Sequence, residues 1–337
     1  MAHNIFGNRF YGHREEAWHK LGFVTQEGMT ANDVIDVFGR YEFVKRPLLV
    51  QLNGEIADTD DYAIIRTATK DDPIERSFGY VTKQYNIIQP DTICDLFDTN
   101  VNQPVETMGT LGKGEKLFLT WKLPVIDING DEIKMYGLVV VGYDGKTGAN
   151  LHLATTRTVC ENTLTIAVSE ANENLGTGRV WSGRHNSKNV ARNLGIWMEH
   201  VQQQAEQQAE ITKNLFLRMD DVKLTAKEEV DGLLAQIYPM PNSVPAYYPD
   251  KLIGEQQARI DERIAEVEKD RSLAYELFSG AGTQIKDTAF GLMNAITEYE
   301  NYGGIIKKPI EYSVVFGNRN TNMSRAFNVI NEYVQVR

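Results

Sequence analysis

Residues 135–175 read MYGLVVVGYDGKTGANLHLATTRTVCENTLTIAVSEANENL. An apolar run, Tyr136 to Val141, breaks at Gly142, Gly145 and Gly148 and returns through Ala149 to Thr156 with partial alternation of apolar and polar residues. Two such runs joined by turn residues predict a β-hairpin. The chain then passes Thr156-Arg157-Thr158 into Val159 to Val168, where Val159, Leu164, Ala167 and Val168 share one face at helical spacing. That spacing predicts a helix with Cys160, Glu161 and Asn162 in its first turn. A hairpin feeding a helix sets the expectation of an α+β fold.

Toward the N-terminus the pattern stays strand-rich. Arg14 to His19 reads as a short helix, and Thr30-Ala31-Asn32-Asp33 as a capped helix start with Val34, Ile35, Val37 and Phe38 inward and Gly39 to end it. Tyr41 to Leu52 reads as a strand stopped by Asn53-Gly54, a hairpin dipeptide that demands positive φ. With Tyr62 to Thr67 and Phe78 to Val81 it predicts an antiparallel meander. Gln89-Pro90-Asp91 opens a second helix burying Ile93, Leu96 and Phe97. Strands follow at Val105–Leu111, Lys116–Leu123 and Glu132–Val141, turned at Gly112-Lys113-Gly114 and Asn129-Gly130.

Toward the C-terminus the period changes. Residues 172 to 188 are polar and glycine-rich, and beyond them Val190, Leu194, Trp197, Val201, Ala205, Ile211 or Thr212, Leu215 and Met219 recur at helical spacing. One long helix is expected there, with Gln202 to Gln208 solvated. Thr225-Ala226-Lys227-Glu228 reads as a capping box for a helix ended by Pro239 and Pro241. Further helices are expected over about 253–278, 283–301 and 324–334, with a short strand at Glu311–Phe316. The organisation expected is an α+β sheet domain over 1–172, a basic glycine-containing linker over 173–189 and a mainly helical region over 190–337.

The stretch TRTVCENTL, preceded by YDGKTG and followed by TAFGLMNAITEYENY at Thr288–Tyr302, resembles the phage/plasmid-like protein family, a domain family of unknown function found on mobile elements. The opening AHNIFGNRFYGHREEAWHKLG and the segment GYVTKQYNIIQP resemble it too. Lys146 stands where the family more often has serine. The resemblance implies a shared fold and a mobile-element setting, and brings no established activity.

The chain has 337 residues, a net charge of −11 and two cysteines, Cys94 and Cys160. An acidic chain binds phosphates only through a local basic patch. Isolated cysteines and the lack of a membrane-length apolar run lead us to expect a protein of a reducing cytoplasm, that of the host cell if phage-encoded, with no membrane partner.

Several motifs reduce to turns. Gly109 to Lys116 lacks the lysine and hydroxyl pair that follows the last glycine of a nucleotide-binding loop, so a hairpin turn is expected. Asp127, Asn129 and Asp131 open like a calcium loop, but no closing glutamate follows, so a solvated turn is expected. The histidines are dispersed, Cys160 reads as structural although Arg157 and a helix N-terminus could activate it, and Asp144 is first a turn residue. No metal, cofactor or catalytic set is expected.

Asn174 to Met198 holds Arg179, Arg184, Lys188, Arg192 and His185 with no acid, in a chain of 46 acids and 35 bases. It reads either as a phosphate-contacting loop or as a solvated linker pairing with Glu170 or Glu173. With the resemblance, the expectation is a non-enzymatic nucleic-acid-binding protein of a phage or plasmid, binding or annealing single-stranded DNA in recombination or replication, and forming a homo-oligomer. Lys146, Arg157, Arg179, Arg184, Lys188 and Arg192 would meet phosphates, and Tyr143 and Trp181 would stack on bases. The alternatives are a host-directed interaction protein, in counter-defence or regulation, and an enzyme acting on nucleic acid.

Overall fold

The computed structural model describes residues 5–14, 20–157, 162–165, 179–242, 250–280, 287–300 and 318–337. The expected α+β fold is what forms, with strands mainly in the N-terminal half and helices in the C-terminal half. Its centre is the predicted hairpin: β9 (Asp131–Gly142) pairs with β10 (Ala149–Arg157) from Val141 opposite Ala149 to Ile133 opposite Arg157. On its other edge β9 pairs with β7 (Lys116–Lys122), which pairs with β6 (Thr107–Leu111), then β1 (Ile5–His13) and, parallel to it, β2 (Phe23–Thr25). A short β8 (Ile126–Ile128) extends β9 backwards through the Asn129-Gly130 turn. That turn is not merely solvated, because Asn129 donates to Asp220 at 2.7 Å.

β7 buries one face completely, with Leu117, Leu119 and Trp121 all buried, while Phe118 and Thr120 on the other face are half-buried, so the cover on both faces that its imperfect alternation suggested is only partial. Trp121 lies directly opposite Gly137, where a Cβ would fall 2.2 Å from the indole. Glycine is therefore the residue that lets the largest core side chain lie flat across the central strand.

The open edge of β10 is shared by two strands. β12 (Arg179–Gly183) pairs with Ala149 to His152, and β11 (Asn162–Thr165) pairs with Ala154 to Arg157. Both revise expectations. Asn162 to Thr165 is a strand, not the first turn of a helix: short apolar runs fit either period, and pairing satisfies the backbone groups that β10 would otherwise leave at its edge. Cys160 and the rest of the expected helix lie outside the described residues. Arg179 to Gly183, expected in a linker, belongs to the sheet.

The predicted meander forms a second sheet of β3 (Phe43–Leu52), β4 (Glu55–Arg66) and β5 (Arg76–Thr82). Asn53 and Gly54 take φ of 54° and 89°, as the two-residue turn requires. Two buried guanidinium groups tie this sheet to the larger one. Arg66 donates to Asp72 at 2.8 Å and to the carbonyls of Lys113 and Ile74, while Arg9 donates to Asp71 at 2.8 Å and to the Gly39 carbonyl. Both lie against the Phe6 ring. Buried cations are tolerable only when paired in this way. In return Arg76 and Arg66 hold the Asp72 carboxyl well below the usual carboxylate range.

α1 (Ala31–Phe38) carries the predicted capping box between Thr30 and Asp33 and stops at Gly39. α2 (Pro90–Asn100) packs beside it, and the Asp98 carboxylate accepts from the α1 backbone at Ala31 and Asn32. The expected long helix is two, α3 (Val190–Gln203) and α4 (Ala205–Asp221), separated only by Gln204. The buried stripe runs on from Val201 to Ala205, so periodicity could not reveal the break. α5 (Lys227–Ile237) starts from Ala226 without a side-chain cap, so the capping box read at Thr225 does not form. α6 (Asp250–Ser279), α7 (Ala289–Glu298, capped by Thr288) and α8 (Asn318–Gln335) complete the helical half. α7 and α8 rest on β11, and α3 on β10 and β12, so sheet and helices share one core. The expected strand at Glu311–Phe316, the residues after Arg14 of the first short helix and the start of the helix placed at Thr283 lie outside the described residues.

Candidate nucleic-acid interface

Three turns converge at the end of the β9–β10 hairpin. The first, Thr82 to Tyr85, follows β5 and closes with the Tyr85 amide on the Thr82 carbonyl at 3.1 Å. The second is Asp144 to Thr147. The third, Arg184 to Ser187, follows β12 and closes at 3.0 Å. The first and third are bound together by the Asn86 amide donating to the His185 carbonyl at 2.8 Å, and by contact between His185 Nδ1 and the Asn86 carbonyl at 3.1 Å. Tyr85 and His185 stack at 4.6 Å, and the Tyr85 hydroxyl reaches the Gly142 carbonyl at the base of the second turn. Two glycines permit the approach: a Cβ on Gly79 would lie 2.3 Å from the Asp144 carbonyl oxygen, and one on Gly148 2.4 Å from that of Gly183.

Each turn carries an exposed cation: Lys83 on the first, Lys146 on the second, Arg184 on the third with Lys188 just after it. None of the four has an ion-pair partner among the described residues. The only acid in the three turns is Asp144, and it is occupied. Its Oδ1 accepts from the Lys146 and Thr147 amides at 2.9 and 2.6 Å, its Oδ2 from the Thr147 hydroxyl at 2.8 Å, and Lys116 lies 3.6 Å away. Partial burial alone would raise its pKa; these donors together hold it below the ordinary carboxylate value. Asp144 is thus the brace of its turn, as the Asp-Gly pair suggested. Burial pushes the His185 imidazole below its usual pKa against the opposing pull of the Asn86 carbonyl, so it is a neutral keystone.

The other predicted contact residues divide. Arg192 is exposed in the first turn of α3, which begins just beyond Lys188. Arg157 is at the far end of β10, and eight residue steps at about 3.3 Å place it roughly 26 Å from Ala149. Arg179 sits between, opposite His152. The basic residues therefore do not form one line. Tyr143 leaves the set of stacking groups: it is fully buried, with its ring 3.7 Å from and nearly parallel to that of Phe43. It joins the two sheets by this contact. Trp181 is half-buried over Gly183, opposite Leu151.

Two residues escaped the sequence reading. Lys83 lies about a hundred positions from Arg184, so no local charge count registers it. Tyr80 is 71% exposed on β5, and its backbone abuts Gly145 of the second turn. An exposed aromatic in the middle of a strand, inside the segment GYVTKQY, was the available signal.

Elsewhere, among the described residues no group of three His, Cys, Asp or Glu side chains is placed to hold a metal ion. No described helix is long and apolar enough to cross a membrane. In a cleft between α5 and α6, Lys227 is engaged with Asp231 and Arg271 with the Tyr238 carbonyl.

No curated protein and no solved structure matches the chain. Residues 77–331 match the family model described as Domain of unknown function (DUF932), from inside β5 to within α8. This is well over half of the chain and contains all three turns of the corner; the protein belongs to the DUF932 family.

Proposed function

We propose that the protein binds single-stranded nucleic acid at this corner, without catalysing a reaction, as part of recombination or replication on a phage or plasmid. The observation that carries the reading is the meeting of three turns, each with an unpaired exposed cation, around a single acid that its own turn consumes. Such an array attracts a phosphate backbone through counterion release, and a chain of net charge −11 would otherwise repel it. Tyr80 and the exposed part of Trp181 provide ring faces for unpaired bases, which supports single strands over duplex. The resemblance of the TRTVCENTL region to phage and plasmid proteins supports the setting. Annealing of complementary strands and host cytoplasm as the compartment belong to the same proposal.

The test is fluorescence anisotropy with labelled single-stranded and duplex oligonucleotides at low salt. The wild type should bind the single strand more tightly, and joint replacement of Lys146, Arg184 and Lys188 by alanine should remove most of that affinity. Failure of the wild type to bind single strands at low salt, with or without magnesium, would overturn the proposal.

A further inference from the structure

β4 outruns β5, and the part of the β3–β4 hairpin beyond it is a two-stranded ribbon. β5 pairs only with Asp61 to Arg66, whereas β3 and β4 stay paired out to Leu52 opposite Glu55. An irregularity with Asp60 at φ 58° separates ribbon from sheet. On the ribbon Leu49, Val50, Leu52 and Ile56 are 59, 40, 59 and 73% exposed. A lone two-stranded ribbon is marginal in water, and an uncovered apolar edge invites pairing.

The two edges of the ribbon differ. β4 carries Glu55, Asp58, Asp60 and Asp61, the kind of charge that keeps strands away. β3 from Leu48 to Leu52 carries no charge. Its outward-facing groups are identifiable. The residues flanking a two-residue turn form a hydrogen-bonded pair, so Leu52 faces β4. The Leu48 carbonyl also faces β4, accepting from the Thr59 hydroxyl at 2.8 Å. By alternation the amide and carbonyl groups of Leu49 and Gln51 point outward, unpaired.

We infer that this edge pairs antiparallel with the same edge of a second copy of the chain, about a two-fold axis at Val50. That register sets Leu49 of each copy opposite Gln51 of the other, so every outward backbone group finds its partner. It also sets Leu48 beside the second copy's Leu52 and Val50 beside Val50, a continuous apolar row on one face. The row ends near opposite charges. Arg46, which is 57% exposed and held by Glu75 at 2.6 Å, comes opposite Gly54 in the turn of the second copy, next to its Glu55, and the reverse holds at the other end. This self-complementarity of shape and charge is what an isologous interface requires, and it specifies a second copy over an unrelated partner. The inference stands whether or not the corner binds nucleic acid.

Sedimentation velocity of the full chain across a concentration series, read alongside two kinds of variant, tests it. Gln51→Pro removes only the outward amide and leaves the β4 ladder intact, and Val50→Lys places like charges on the axis. Both should shift a concentration-dependent dimer toward monomer by tenfold or more in dissociation constant, with an unchanged circular dichroism spectrum. Under mild oxidation Val50→Cys should cross-link to its own counterpart, because the two Cβ atoms meet on the axis, and Leu52→Cys should not. A wild type that stays monomeric at high concentration, a dimer indifferent to Gln51→Pro and Val50→Lys, or equal cross-linking at positions 50 and 52 would overturn the inference.

Discussion

Lys83→Ala tests whether the corner acts as an assembled site, because this residue belongs to no basic stretch of the sequence and joins the others only through folding. Each phosphate contact on a single strand contributes about 0.7 to the log–log salt slope. If Lys83, Lys146, Arg184 and Lys188 each meet one phosphate, the slope is about 2.8, and raising salt fourfold weakens binding roughly fiftyfold. Without Lys83 the slope drops to about 2.1 and the loss to roughly twentyfold. With Lys83 alone remaining, the slope is about 0.7 and the loss about threefold. Anisotropy titrations at four or five salt concentrations resolve these differences. Arg157→Ala provides the contrast, since the far end of β10 is roughly 26 Å from the corner and its removal should leave the slope unchanged. A slope insensitive to Lys83 but lowered by Arg157→Ala would refute the convergence of the three turns as the binding surface.

Four further outcomes concern single side chains. Gly137→Ala forces a methyl group against the buried Trp121 ring and should cost about 1–3 kcal/mol in urea denaturation, with most of the loss recovered when Trp121→Phe is added; equal losses in both backgrounds would show the two sites to be independent. Tyr143→Phe removes a buried hydroxyl that has no partner among the described residues, so binding should be unchanged and stability equal or higher, whereas Tyr80→Ala should weaken binding by about 1–3 kcal/mol with little effect on the salt slope. His185 is buried neutral with its pKa below the ordinary 6.5, so its contribution to stability is present above that value and is lost as pH falls through it toward the lower folded value. Thermal melts at pH 7.5 and 5.5 should therefore show a smaller acid-induced fall for His185→Phe than for the wild type.

Local chemistry made much of the fold legible. Asn53-Gly54, Asn129-Gly130 and the glycines around Asp144 mark turns that the backbone takes with positive φ at Asn53, Asn129 and Gly145. Thr30 with Asp33 marks a cap that forms as written. What escaped reading depends on partners distant in sequence. Asn162 to Thr165 becomes a strand because β10 offers an edge, which no local period reports. Thr225 fails as a cap where Ala226 takes the capping position instead. At the candidate site, Lys146, Arg184 and Lys188 were visible as local charge, while Lys83 and Tyr80 were hidden because the corner is composed across the chain. Tyr143 misled in the opposite sense, being an aromatic beside a polar turn whose ring serves the junction between sheets.

The contact between His185 and Asn86 spans 99 positions, and with it the corner is closed by loops of very different length. Closing so long a loop carries an entropic cost that only an already formed sheet can offset. The corner is therefore expected to close after β9, β10 and β12 have found their register, an order that pulse-labelling hydrogen exchange would check. An antibody or oligonucleotide that recognises all three turns would report completed folding, and would distinguish the native chain from compact intermediates of similar helical content. A cut between Lys83 and Lys146 would leave at most three of the four cations on one piece, which could not rebuild the surface as a linear peptide.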